Sequence, residues 1–189
     1  MTQKEFIFLY PIHQIFNFEI NNYGWSRKGG INAFRKIYSN ALNQCIDQRY
    51  RQNGFGINYV VFDDCIVSDI INLQPEDKTL KAGIDFKIHT TEKTYPVPDH
   101  ILSQFGKATI IRVAGFHMWD CVEKLAKCAY EKEFDVLVDE DLTELFSTRF
   151  EREYFRSDKY PTYKPKKQGY IFKEFVEARK HRPWFWQNY

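Results

Sequence analysis

Cys121 is the side chain of this sequence with the best opportunity for chemistry. A cysteine attacks a carbonyl carbon as its thiolate, so its surroundings must favour the charged sulfur. The run Thr109-Ile-Ile-Arg-Val-Ala114 is short and rich in β-branched residues, the mark of a strand buried on both faces, and Gly115 breaks it. Beyond the break, Val122, Leu125, Ala126 and Ala129 recur at helical spacing, with Asp120 as the predicted N-cap. This puts Cys121 in the first turn of a helix, where the helix dipole and unpaired N–H groups lower a thiol pKa and can hold an oxyanion. Phe116, His117 and Trp119 occupy the turn between strand and helix and are the candidate substrate-binding residues.

A second apolar run, Asp135 to Val138, follows the helix. A helix between two such strands requires a right-handed crossover and a parallel sheet, and such sheets carry ligands at the carboxyl ends of their strands. Strands are predicted over 5–10, 57–62, 84–89, 108–114 and 135–139. Phe34, Ile37, Tyr38, Ala41, Leu42, Cys45 and Ile46 follow i, i+3, i+4 spacing and predict an amphipathic helix. Residues 21–30 and 73–82 read as loops, and 98–105 and 142–150 as short helices. The alternation of strand and helix predicts an α/β fold, a doubly wound, mostly parallel sheet in three α-β-α layers. Residues 1–150 form the predicted domain. Residues 151–189 change character to an aromatic, basic extension with a helix over 170–179, expected to pack on the domain or on a partner subunit.

The block Gly115-Phe-His-Met-Trp-Asp-Cys121-Val122, followed by Asp135-Val-Leu-Val-Asp139, resembles the nucleophile motif of the isochorismatase-like cysteine hydrolases, which include the nicotinamidases. The resemblance implies that Cys121 attacks a small amide or a related C–N or C–O bond, and that the turn before it aims backbone N–H groups at the oxyanion. It also implies a lysine at the end of the strand before the nucleophile strand. Lys87 is the candidate, with Lys81 and Lys93 competing, and its charge would favour the thiolate by Coulomb attraction. In the family the first strand ends in an Asp that serves as general base; here Tyr10-Pro11-Ile12 stands in its place. Asp64 is the best substitute, and His13 could serve chemically because imidazole titrates near neutrality. The plainer readings are that Asp63 and Asp64 are turn and capping residues, that His13 sits in a surface loop and that Lys87 is a solvated lysine. Two functions follow: a cysteine hydrolase, or a catalytically inactive relative that binds a small molecule or a protein.

The chain has 189 residues, 43% of them hydrophobic, enough to bury one core. A net charge of +2 gives no electrostatic signature for nucleic acid, so the basic, aromatic tail is expected to pack or to form a dimer contact, making the protein a homo-oligomer. No stretch of 18 apolar residues and no signal peptide is present, so no membrane partner and a cytoplasmic location are expected. Cys45, Cys65, Cys121 and Cys128 lack metal-site spacing and read as reduced thiols, with no metal or other cofactor implied.

Overall fold

The computed structural model describes residues 3–106, 109–144, 146–162, 177 and 179–187. Five strands, β1 (Lys4–Leu9), β2 (Gly56–Val61), β3 (Lys78–Lys81), β4 (Ile110–Gly115) and β5 (Asp135–Thr143), form one sheet in the order β3-β2-β1-β4-β5. All four pairings are parallel, with Ile7 opposite Asn58 on one side and Val113 on the other. β1 is central and buried on both faces, so its sequence is a continuous apolar run rather than an alternation. Its even residues Phe6 and Phe8 pack with Phe16 and Ile20 of α1 (His13–Gly24) and with Phe34, Tyr38 and Leu42 of α2 (Gly30–Cys45). Its odd residues Ile7 and Leu9 join Val113, Val138 and the face of α5 (Glu123–Glu131) that carries Leu125, Ala126 and Ala129. Helices thus cover both faces of the sheet, giving three layers. Among the described residues no helix is long and apolar enough to cross a membrane.

Four readings of the sequence depart from the structure. Residues 84–89 are not a strand: β3 lies earlier, at Lys78–Lys81, and Phe86–Glu92 is helix α3. β3 is a short edge strand whose residues are exposed apart from half-buried Leu80, so it carries no apolar signal. The spacing Ile84, Phe86, Ile88 imitates strand alternation, but the Asp64 carboxylate accepts the Phe86 N–H at 2.7 Å, satisfying an orphan donor at a helix start. α1 occupies residues read as connecting chain; its buried stripe of Phe16, Glu19, Ile20 and Gly24 is narrow and lies among asparagines, which favour loops. The Cys121 helix opens before Asp120, with His117 preceding a π-helical turn, Met118–Val122, that runs into α5. The predicted helix at 142–150 is the shorter α6, Phe146–Arg149. Most of the predicted helix at 170–179 lies outside the described residues.

β5 continues past its apolar stretch through Asp139, Glu140 and Asp141, all fully buried. Isolated buried charges are prohibitively costly, and here each acid has a guanidinium. Arg49 Nη1 lies 3.0 Å from Asp139 Oδ2 and 3.2 Å from Asp141 Oδ2, Arg149 Nη1 lies 3.3 Å from Asp141 Oδ1, and Arg179 pairs with Glu140. The Tyr50 hydroxyl donates to Asp139 at 2.5 Å, and Thr162 donates to Asp141. Burial pushes Glu140 up to about 7, against the pull of Arg179 and Arg149. The chain beyond α6 folds back on the domain, with Trp184 and Phe185 buried in the α5 layer and the Val138 N–H donating to the Trp184 carbonyl at 2.8 Å.

Removing one partner of such a cluster strands the others in a dry environment. Arg49→Leu is expected to cost about 3–5 kcal/mol in urea denaturation. Arg156→Leu, which removes only the exposed pair with Asp158, is expected to stay within about 0.5 kcal/mol of the parent.

Candidate functional site

The turn that carries Cys121 is fixed by Gly115. Its φ of +113° is one that side-chain-bearing residues rarely adopt, and a Cβ there would lie 2.2 Å from the Leu9 carbonyl oxygen and 2.6 Å from the Leu9 nitrogen. β4 therefore ends in direct backbone contact with the end of β1, and the Phe116 N–H donates to the Leu9 carbonyl at 3.2 Å. The Phe116–His117 peptide is cis. The chain then enters the π-helical turn, where the N–H groups of Asp120 and Val122 both point to the His117 carbonyl. Phe116 and Met118 are buried, while the intervening His117 faces out.

Tyr10, one residue beyond β1, meets this turn. Its φ is +58°, the left-handed region that bulky residues enter only when held there. The Tyr10 N–H donates to Val60 O at 2.8 Å, and its carbonyl accepts the Ile12 N–H at 2.7 Å across Pro11. Tyr10 and Cys121 line the same pocket, so a phenol stands where the resemblance implies a carboxylate base. Burial dominates the sulfur. Loss of water pushes the Cys121 thiol up to about 11, the Asp120 charge adds to this, and the Tyr10 hydroxyl and Lys124 draw it down only in part. Burial also pushes the Tyr10 phenol well above its ordinary value, so it is a neutral donor near pH 7 and no base.

A pocket of about 420 Å³ opens in front of Cys121. Tyr10, Phe18, Phe62, Phe86 and Phe116 give it an aromatic wall, and Gln14, Thr90, His89 and His117 supply polar groups. His89 stacks on Phe62 with ring centroids 5.0 Å apart. Its Nδ1 lies 2.8 Å from the Thr94 carbonyl, which can only accept, so Nδ1 carries a proton and Nε2 is the remaining ring nitrogen. His117 Nδ1 lies 2.6 Å from Glu144 Oε2. This hydrogen bond raises the imidazole pKa above its ordinary value, against the loss of water around the ring. Among the described residues no group of three or more His, Cys, Asp or Glu side chains converges as a metal site would require.

Of the residues singled out in the sequence, Cys121, Phe116 and His117 line one pocket. Lys87 does not join them: it is exposed on α3. The lysine at the end of the strand is Lys81, and its Nζ donates to the carbonyls of Asp63 and Cys65 at 3.1 and 2.9 Å, tying down the chain after β2. Lys93 ends α3. Asp64 is drawn below its ordinary pKa by its hydrogen bond from the Phe86 N–H and serves as a helix cap, while Asp63 accepts the Gly83 N–H at 2.9 Å. His13 lies on α1, 3.7 Å from Asp69 and largely exposed. Trp119 packs on Phe185 and under the Arg182 guanidinium, outside the pocket. The pocket residues that sequence reasoning did not place are Phe18, Phe62, Phe86, His89 and Thr90, together with Glu144 behind His117. Most come from α1 and α3, the two helices that the apolar pattern does not mark.

No family model matches the chain, and no curated protein matches it by sequence. Solved structures similar to it include two described as Mar1 ribonucleases, from Leishmania major and Leishmania donovani. Each is 12% identical with a TM-score of 0.48, over 75% of this chain and 65% of the other. A structure described as an isochorismatase family protein is 13% identical with a TM-score of 0.43, over 74% of this chain and 80% of the other. The chain thus spans 65% of the length of the Leishmania structures. At these identities and TM-scores nothing about activity passes from those proteins to this chain.

Because the thiol is held up near 11, alkylation of Cys121 by iodoacetamide is expected to rise about tenfold per pH unit from pH 7 to 10, with no plateau near neutrality. Tyr10→Phe removes the phenol hydroxyl that draws the thiol down and is expected to slow the reaction further at any fixed pH. Peptide-mapped labelling rates check both. Glu144→Gln is expected to return the His117 pKa towards the ordinary imidazole value, read from ring-proton shifts in an NMR titration. A raised imidazole stabilises the fold below its unfolded value and stops doing so above its folded value. The stability gap between the parent and Glu144→Gln is therefore expected to be widest in acid and to close as pH rises through the raised pKa.

Proposed function

We propose that the Cys121 pocket binds a small, flat, largely apolar molecule and that its thiol is neutral in the resting protein. The observation that carries this is the pocket lining itself, in which the buried, neutral Tyr10 phenol and the rings of Phe18, Phe62, Phe86 and Phe116 share the wall with the sulfur at the point where a cysteine hydrolase needs a base. Among the described residues no lysine lines the pocket, and Lys124, whose charge reaches the sulfur, is paired with Asp120 at 2.6 Å. What the pocket offers is aromatic surface for a ring and a few polar groups, Gln14, His89 and His117, to orient it, the usual make-up of a small-molecule site.

A second reading, hydrolysis of a small amide, is favoured by one observation. Glu144 hydrogen-bonds His117 Nδ1, and His117 lines the same pocket as the thiol, so a carboxylate, an imidazole and a sulfur are present together. In that reaction the Cys121 proton passes to His117 Nε2, the sulfur bonds to the amide carbon, and the imidazolium returns the proton to the departing amine. Water then cleaves the thioester.

Benzamide is a probe that separates the two. Under the binding reading it protects Cys121 from alkylation and perturbs the NMR signals of pocket residues. Cys121→Ala is then expected to retain binding within about threefold, and Phe86→Ala, which removes part of the aromatic wall, to weaken it about tenfold. Release of ammonia that is lost in Cys121→Ala would favour hydrolysis. Absence of benzamide binding to the parent, with Cys121 no more protected than Cys128, would remove both readings for this ligand class.

A further inference from the structure

A second pocket, of about 490 Å³, lies at the opposite end of the sheet and shares no lining residue with the first. It is built where β1 and β4 begin, beside the turn that follows α2 and the chain around Tyr160. The lining holds four cationic side chains, Lys4, Arg49, Arg112 and Lys159, and a single acid, Asp158. That acid is already taken by Arg156, whose Nε and Nη2 donate to its two oxygens at 3.0 and 2.9 Å. Arg49 is spent in the other direction: all three of its nitrogens donate to the buried acids and to the Ser157 and Arg156 carbonyls.

The remaining three cations have charge to offer. Arg112 uses only Nη1, towards Asp135 and two carbonyls, and among the described residues its Nε and Nη2 have no partner. Lys4 Nζ lies 3.4 Å from the Asn53 carbonyl, a long contact, and 5.5 Å from the Phe55 ring centroid. Among the described residues Lys159 has no carboxylate partner. The same pocket presents aromatic surface. Trp186 is half-buried in its wall, and no ring or cation stacks on it among the described residues. Two lysines without a carboxylate partner among the described residues, and the outer nitrogens of Arg112, whose Nη1 alone is paired with Asp135, stand beside an open aromatic platform, an arrangement that recognises an anionic group and a flat ring at once. The volume falls within the range of small-molecule sites.

We infer that this second pocket binds a small molecule that joins a flat ring to an anionic group, with a nucleoside monophosphate as its chemical model. Lys4, Lys159 and the outer nitrogens of Arg112 take the anion, and Trp186 stacks on the ring. The site is independent of the Cys121 pocket.

The test titrates the full chain with AMP, adenosine and inorganic phosphate, following tryptophan fluorescence and calorimetry. AMP is expected to bind at least about tenfold more tightly than either fragment and to weaken with added salt. The double variant Lys4→Ala/Lys159→Ala is expected to weaken AMP about tenfold while leaving the unfolding temperature unchanged, and Trp186→Leu to abolish the fluorescence response. AMP should leave the alkylation rate of Cys121 unchanged, which separates this result from the fate of the first pocket. The inference is overturned if AMP binds no better than adenosine or phosphate, or if the lysine pair can be removed without effect. It is also overturned if only an oligoribonucleotide binds, which would make the surface a track for a polymer.

Discussion

The contact on which the site depends is made by backbone alone. Gly115 lets the end of β4 press against the Leu9 carbonyl so closely that no side chain fits between them. The placing of Cys121 against the end of β1 follows from that approach. Phe116 is drawn onto the Leu9 carbonyl, the turn reverses into the π-helical segment, and the sulfur is delivered beside the residue that follows β1. In this chain that residue is Tyr10, itself bent into the left-handed region. Two unusual backbone conformations at the ends of adjacent strands thus bring the phenol and the thiol to one pocket, where burial keeps the sulfur protonated.

The parts legible in the sequence are those whose apolar pattern is dictated by burial on two faces. β1, β2, β4 and the start of β5 are continuous apolar runs, and α2 and α5 have wide apolar stripes, so all were readable. Gly115 and Cys121 were readable because a strand, a glycine and a helix start leave few choices between them. The wall of the pocket was not. α1 hides its stripe among asparagines, and α3 alternates like a strand because its helical start comes from Asp64, 22 residues earlier. The placing of Lys87 failed with that strand. The pocket's aromatic character therefore depends on long-range hydrogen bonds that no local window contains.

The buried acids of β5 show a different limit. Carboxylates such as these three are almost never fully buried unless paired. They are inside because Arg49, 90 residues before Asp139, Arg179, 39 residues after Glu140, and the nearer Arg149 converge on them. Such a cluster adds little net stability over a well-packed apolar equivalent, but it is intolerant of partial assembly. It ties the turn after α2, α6 and the C-terminal segment to a single strand. The two pockets sit at opposite ends of a sheet whose far edge is held by this cluster, and Arg49 belongs to both the cluster and the wall of the second pocket.

The bond from Val138 to the Trp184 carbonyl has a consequence for how copies of the chain can meet. β5 is the last strand of the sheet, and an unprotected outer strand is a template on which another molecule can add its own. Here the returning C-terminal segment occupies part of that row of donors, and the other rim, β3, is four residues long and carries Lys78 and Lys81. Among the described residues neither rim offers a long, bare, uncharged ladder. Both features work against extending the sheet from one molecule into the next.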